Sequence, residues 1–216
     1  AGITTGDYNV AVGYNSGQQV TSGSQQVLIG AYAGDALTTG AQNVAIGYRA
    51  LSAEDTGGRN VAIGHDALLN QNADTSNYNV AVGYSAGKEV TTGIRNIIIG
   101  GLAGDALTTG NYNTAIGYAA LSAENEHGGN VAVGYNTLAS QDAGADAYNT
   151  AVGYQTGQVI STGVQNTLIG GFAGDALTTG DRNTALGTYA LSTEDTGSRS
   201  VAIGWYSLLM QNYDGI

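Results

Sequence analysis

Twelve near-copies of one five-residue phrase leave this chain few ways to fold. The phrase is first complete at Asn9-Val10-Ala11-Val12-Gly13 and returns at Asn43-Val44-Ala45-Ile46-Gly47 and Asn113-Thr114-Ala115-Ile116-Gly117. Its closing glycines fall at Gly13, Gly30, Gly47, Gly64, Gly83, Gly100, Gly117, Gly134, Gly153, Gly170, Gly187 and Gly204. The steps between them are 17, 17, 17 and 19 residues, the same four again, then 17, 17 and 17. Units this short cannot fold singly, so residues 1–216 read as one stacked body without an internal boundary. The rhythm sums to a period of 70 residues, giving four-coil blocks at 7–76, 77–146 and 147–216. Gly34-Asp35-Ala36-Leu37-Thr38-Thr39-Gly40, for example, recurs unchanged at 104–110 and 174–180.

Each phrase reads as a short strand. The residue before the glycine is always branched and aliphatic, as at Val12, Ile29, Ile46, Ile99 and Leu186, and we expect this column to be the coil's own core. Strand side chains alternate in direction, so the preceding residue faces the other way. That residue is Ala in nine coils and Leu28, Ile98 or Leu168 in the second coil of each block. Apolar residues on both faces imply a strand covered on both sides. One thin coil cannot supply both covers, so Ala11, Leu28, Ala45, Ala81, Ile98, Ala115, Ala151, Leu168 and Ala185 are expected to pack against another copy of the chain. The fold class follows: all-β, a parallel β-solenoid of twelve 17- or 19-residue coils, about 57 Å long at about 4.8 Å per coil. No helical periodicity of useful length competes with it.

Turns fill the rest of each coil. Recurrent glycines mark where positive φ or close backbone approach turns the chain back. The Asn column (Asn9, Asn43, Asn60, Asn79, Asn96, Asn113) is expected to stack as an amide ladder. Two return paths, Leu69–Tyr78 and Ala139–Tyr148, carry two extra residues and should bulge every fourth coil; the end at Leu209–Ile216 is read as a third. Ala1-Gly2-Ile3-Thr4-Thr5-Gly6 reads as the tail of a preceding coil, cut from a longer fibrous chain.

Composition excludes several classes. The 35 glycines lack a three-residue period and proline is absent, which rules out collagen. A net charge of -11 with six scattered Lys and Arg argues against nucleic acid and against anionic membrane surfaces. No apolar run reaches membrane-spanning length, so no membrane insertion is expected. Cysteine is absent, removing disulfides and thiol chemistry.

The phrase resembles the head repeat of trimeric autotransporter adhesins, whose coils carry Ser-Val-Ala-Ile-Gly. Ser200-Val201-Ala202-Ile203-Gly204 matches it directly, and Asn60-Val61-Ala62-Ile63-Gly64 with one change. It is also similar to bacteriophage tail-fibre repeats that read like Asn113-Thr114-Ala115-Ile116-Gly117-Tyr118-Ala119-Ala120-Leu121. The resemblance implies a left-handed parallel β-roll, three chains side by side as a homotrimer, and an extracellular, cell-surface or virion location. The implied role is attachment to a host-surface glycan or protein, or a rigid fibre segment. A single chain closing around its own pseudo-threefold axis is a further possibility raised by the triplicated block.

Three candidate chemistries remain. Tyr14, Tyr48, Tyr84, Tyr118, Tyr135 and Tyr154 follow the strand glycine and form a candidate aromatic ladder for sugars or protein partners, or one that only shields coil edges. Asp35, Asp105 and Asp175 sit in identical turns, with Glu54, Glu124 and Glu194 on the next return path, and are candidate calcium ligands. One or two carboxylates per turn are few for a calcium cage, so solvated turn acids are the plainer reading and no cofactor is required. Catalysis finds no support: His65 and His127 are non-equivalent, with no recurring Ser, Cys or carboxylate partner. A fibre or adhesin segment is the expected function, with a carbohydrate-binding module or a head-to-tail filament subunit as alternatives.

Overall fold

The structure, a computed structural model, describes residues 5–210. Residues 1–4 and 211–216 are outside it, and with them most of the proposed preceding-coil tail and of the last long return path. Twelve three-residue strands lie where the phrase repeats. They are β1 (Val10–Val12), β2 (Val27–Ile29), β3 (Val44–Ile46), β4 (Val61–Ile63), β5 (Val80–Val82), β6 (Ile97–Ile99), β7 (Thr114–Ile116), β8 (Val131–Val133), β9 (Thr150–Val152), β10 (Thr167–Ile169), β11 (Thr184–Leu186) and β12 (Val201–Ile203). They form one parallel sheet in chain order. Equivalent residues stack upon each other, Val10 on Val27 and Ala11 on Leu28. The chain is a parallel β-solenoid, and among the described residues no helix is long and apolar enough to cross a membrane.

The interior is the reverse of the sequence expectation. Leu28, Ala45, Ala81, Ile98, Ala115, Ala151, Leu168 and Ala185 are 0–1% exposed within a single chain, so they are coil core and cannot be the inter-chain surface. Ala11 is exposed, because it lies in the first coil of the stack. The outer column instead faces away from the core: Val12, Ile29, Ile99, Ile169, Leu186 and Ile203 are exposed, as are Val10, Ile97 and Val201 in the matching column.

Volume explains the choice. Across the narrow interior, each strand residue meets the residue four beyond the phrase glycine. In second coils that residue is glycine, and Leu28 reaches over Gly34, where an added Cβ would lie 2.9 Å from Leu28 Cδ2. In third and fourth coils the volumes trade places: the strand offers Ala45 or Ala62, and the turn supplies fully buried Leu51 or Leu68. A pair of large side chains would not fit between the two walls. First coils pair two small residues, as at Ala81 and Gly87, and there Leu68 of the coil before and Ile98 of the coil after fill the space, 3.2 and 2.8 Å from a Cβ built on Gly87.

Two backbone features hold the coils at this spacing. The phrase glycine has φ between 119° and 143° in every coil. At Gly13 an added Cβ would also lie 2.5 Å from the Gly30 carbonyl oxygen of the next coil. The turn that follows uses left-handed residues two and four positions on, and these are not all glycine: Leu51, Leu68, Leu121 and Leu191 have φ of 49–57°. The Asn column does not bond amide to amide. Asn43 Oδ1 accepts the Asn60 amide N–H (2.9 Å) and its Nδ2 donates to the Gly57 carbonyl (3.0 Å), so the side chain stitches two points of the next coil's backbone. Asn79, Asn96, Asn113, Asn149, Asn166 and Asn183 make the same pair of bonds.

Candidate functional site

The outward face of the sheet runs from β1 to β12. Its centre is the pair of aliphatic columns running the length of the stack. Flanking them on the far side of the phrase glycine is a ladder of rings. Tyr14, Tyr32, Tyr48, His65 and Tyr84 follow one another with centroids 5.1–6.1 Å apart. After a gap at Gly101-Leu102, the run Tyr118, Tyr135, Tyr154, Phe172, Tyr189 and Tyr206 continues at 4.9–5.6 Å. Where Tyr14's column loses its ring, at Ala31, Gly171 and Thr188, the next residue, Tyr32, Phe172 or Tyr189, supplies one, and in the last coil Tyr206 joins the ladder beside Trp205. The six tyrosines singled out in the sequence therefore stack on aromatic neighbours and still expose 43–68% of their surface. Stacking and exposure coexist, so both readings of the ladder have support.

The opposite flank is polar. There the residue before the Asn column is left-handed in every coil, among them Gln25, Gln42, Arg59, Tyr78, Arg95 and Tyr112. Arg59 donates to Gln42 Oε1 (2.9 Å) and to the Tyr78 hydroxyl (3.0 Å), and Arg95 donates to the Tyr112 hydroxyl (2.9 Å). Both guanidinium groups lie over the tyrosine rings they bond, 5.3 and 5.6 Å from the centroids. Arg59, Arg95, Arg182 and Arg199 share this column, which gathers four of the six basic residues. The sequence reading treated the cations as scattered surface charges and missed the alignment.

Acidic residues occupy two different environments. Asp35, Asp105 and Asp175 sit half-buried in equivalent turns four coils apart, about 19 Å at the coil spacing. Ser52 donates its hydroxyl to Asp35 Oδ1 at 2.5 Å. Burial raises the Asp105 and Asp175 carboxyls above their ordinary range. None of the three belongs to a group of three or more His or carboxylate donors among the described residues.

The second environment lies inside the solenoid. One interior column runs Val20, Leu37, Glu54, Gln71, then Val90, Leu107, Glu124, Gln141, then Ile160, Leu177, Glu194. All eleven side chains are buried, so the first two blocks each carry a hydrophobic half and a polar half, and the described part of the third follows them. Glu54 Oε1 accepts the Gly57 N–H (2.7 Å), and Oε2 accepts from Asn77 Nδ2 (2.8 Å) on the long return path. Gln71 and Gln141 fill the widened fourth coils and accept from Asn79 and Asn149 through Oε1 (3.0 and 2.6 Å). Near Glu124 the structure brings together what sequence reading kept apart. The donor atoms of Glu124, His127 and Asp142 lie within 4.8 Å of one another.

Burial raises the Glu54 carboxyl, against the opposing pull of its amide donors. The native state thus keeps the proton to higher pH than the unfolded chain, whose carboxyl titrates near 4.5. Its contribution to stability is full below that value and is lost as pH rises through the raised native value. Melting temperature should therefore rise as pH falls from 7 towards 5, and Glu54→Gln should flatten that slope. Asn77 Oδ1 has no partner and can turn to accept the new amide. Thermal melts of both proteins across this pH range check the prediction, and an equal slope in the variant contradicts it.

No protein-family model, no curated protein and no solved structure matches this chain.

Proposed function

We propose that this solenoid is a structural segment of a surface-exposed fibre, in which parallel copies of the chain associate along the outward aliphatic face. The observation that carries the reading is that face itself: two continuous columns of Val, Ile, Leu and Thr left uncovered from β1 to β12. Monomeric proteins seldom present an apolar patch of such length. With its flanking columns the face measures roughly 20 by 53 Å, about 1,000 Å² per chain, and stable interfaces bury about 800 Å² per partner. A second copy is the occupant that matches it best, because an identical coil repeat keeps side chains in step along the whole rod. Three copies are the number that the resemblance to trimeric adhesin and tail-fibre repeats supplies. A stiff rod repeating the same loops three times presents weak contacts multivalently.

Light scattering on the intact chain tests this directly. The expected mass is three times the 21.8 kDa chain. The double substitution Ile99→Lys with Ile169→Lys should yield monomers with an unchanged β-type circular dichroism spectrum, since both side chains point away from the core. A wild-type monomer sinks the proposal.

The exposed ring ladder favours a second reading, a carbohydrate-binding surface. Saturable binding on a glycan array, lost in Tyr118→Ala and Tyr135→Ala, would support it, and binding that survives both would count against it.

A further inference from the structure

The three buried glutamates of the interior column are equivalent by position, yet their surroundings differ. In the first block both Glu54 oxygens accept hydrogen bonds, from Gly57 and from Asn77. Moving 70 residues along, the middle block departs at three of the positions that surround its glutamate. Gly57 becomes His127, Asn72 becomes Asp142, and Asn77, the side chain that closes the second oxygen, becomes Ala147. Glu124 Oε1 still accepts the backbone N–H of residue 127 (3.1 Å). Its Oε2 has no partner, and the side chain is 0% exposed. His127 Nδ1 lies 3.4 Å from Glu124 Oε1 and makes no hydrogen bond of acceptable geometry. Asp142 brings a second carboxylate from the long return path, on the solvent side.

A buried carboxylate oxygen without a donor is destabilising, and it becomes stable when a cation occupies the place of the donor. We propose that Glu124, His127 and Asp142 bind one divalent transition cation of the zinc class. Two carboxylates and a neutral imidazole sum to two negative charges, which one dication neutralises. The imidazole nitrogen selects zinc-like ions over calcium or magnesium, which prefer all-oxygen shells. Three protein donors with Asp142 open to solvent leave the fourth position for water. The middle block would thereby gain from a metal the closure that Asn77 gives the first block.

The test uses the full chain, stripped with chelator and titrated with zinc chloride in a calorimeter. One equivalent should bind per chain, with a matching rise in melting temperature. His127→Gly and Asp142→Asn install the residues found at positions 57 and 72, so the variants keep a sequence that this solenoid already folds. Each should weaken zinc binding at least tenfold, as should Ala147→Asn, which restores the capping amide. Calcium at equal concentration should not compete. The proposal is overturned by an absence of binding at millimolar zinc, by undiminished binding in His127→Gly and Asp142→Asn, or by calcium competing as well as zinc.

Discussion

Gly117→Ala should cost this protein about 4 kcal/mol or more and should split the thermal transition. The φ of 132° at Gly117 lies where a side chain is strained, at about 1–3 kcal/mol. The added carbon would also run into the Gly134 backbone of the following coil, which cannot rotate aside as a side chain would. Separating the coils to relieve the clash breaks the strand pairing between β7 and β8 and the Asn113 bridge beside it. Because each coil touches only its neighbours, the damage stays local and divides the stack into two bodies that melt separately. Gly101→Ala is the matched control. Its nearest neighbour is the Tyr118 ring at 3.6 Å, an ordinary contact, and its φ lies outside the left-handed range. Differential scanning calorimetry of both variants checks the contrast; equal losses would remove the close-approach explanation.

Ile98→Ala and Ile99→Ala, adjacent and chemically identical changes, should differ by several kcal/mol. Ile98 is fully buried and reaches over Gly87, where an added Cβ would lie 2.8 Å from its Cδ1. Removing it leaves a cavity between two coils, at about 2–5 kcal/mol. Ile99 is 36% exposed on the outer face, and its truncation should cost the isolated chain less than about 1 kcal/mol. Its loss should instead weaken self-association. Urea melts read the first difference and sedimentation the second. A larger folding loss at Ile99 would restore the opposite assignment of the two faces.

That assignment is where sequence reading and structure part. The strands, their parallel order and their spacing were legible because the phrase recurs with an invariant glycine. Which face points inward was not, since β-branched residues ordinarily fill cores better than alanine does. The deciding quantity is the space between the strand residue and the turn residue facing it, which takes at most one large side chain from that pair. A signal was present all the same. Leu28, Ile98 and Leu168 occur in coils with Gly34, Gly104 and Gly174, while Ala45, Ala62 and Ala115 occur with Leu51, Leu68 and Leu121. Such trading of volumes marks two columns that touch. The ring ladder was half visible, since Tyr32, Phe172, Tyr189 and Tyr206 enter it from a neighbouring column. The carboxylates beside His127 were overlooked for a different reason. Glu124 was read as a turn acid, and Asp142 lies a coil away, so that only stacking brings it near.

Twelve interchangeable strands also pose a problem of bookkeeping during folding, because any one of them pairs acceptably with any other. The buried run Val-Leu-Glu-Gln of the first two blocks, matched by Ile160, Leu177 and Glu194 in the third, distinguishes the coils from within. A chain that skipped one coil would set the two-residue insertion holding Gln71 against a return path of the wrong length and leave the Glu54 oxygen without its Asn77 donor. Slips of one, two or three coils are thus penalised, and only a slip of a whole block finds a near-equivalent neighbour. The polar half of the interior works as an address, giving a uniform-looking rod one preferred alignment of its own chain.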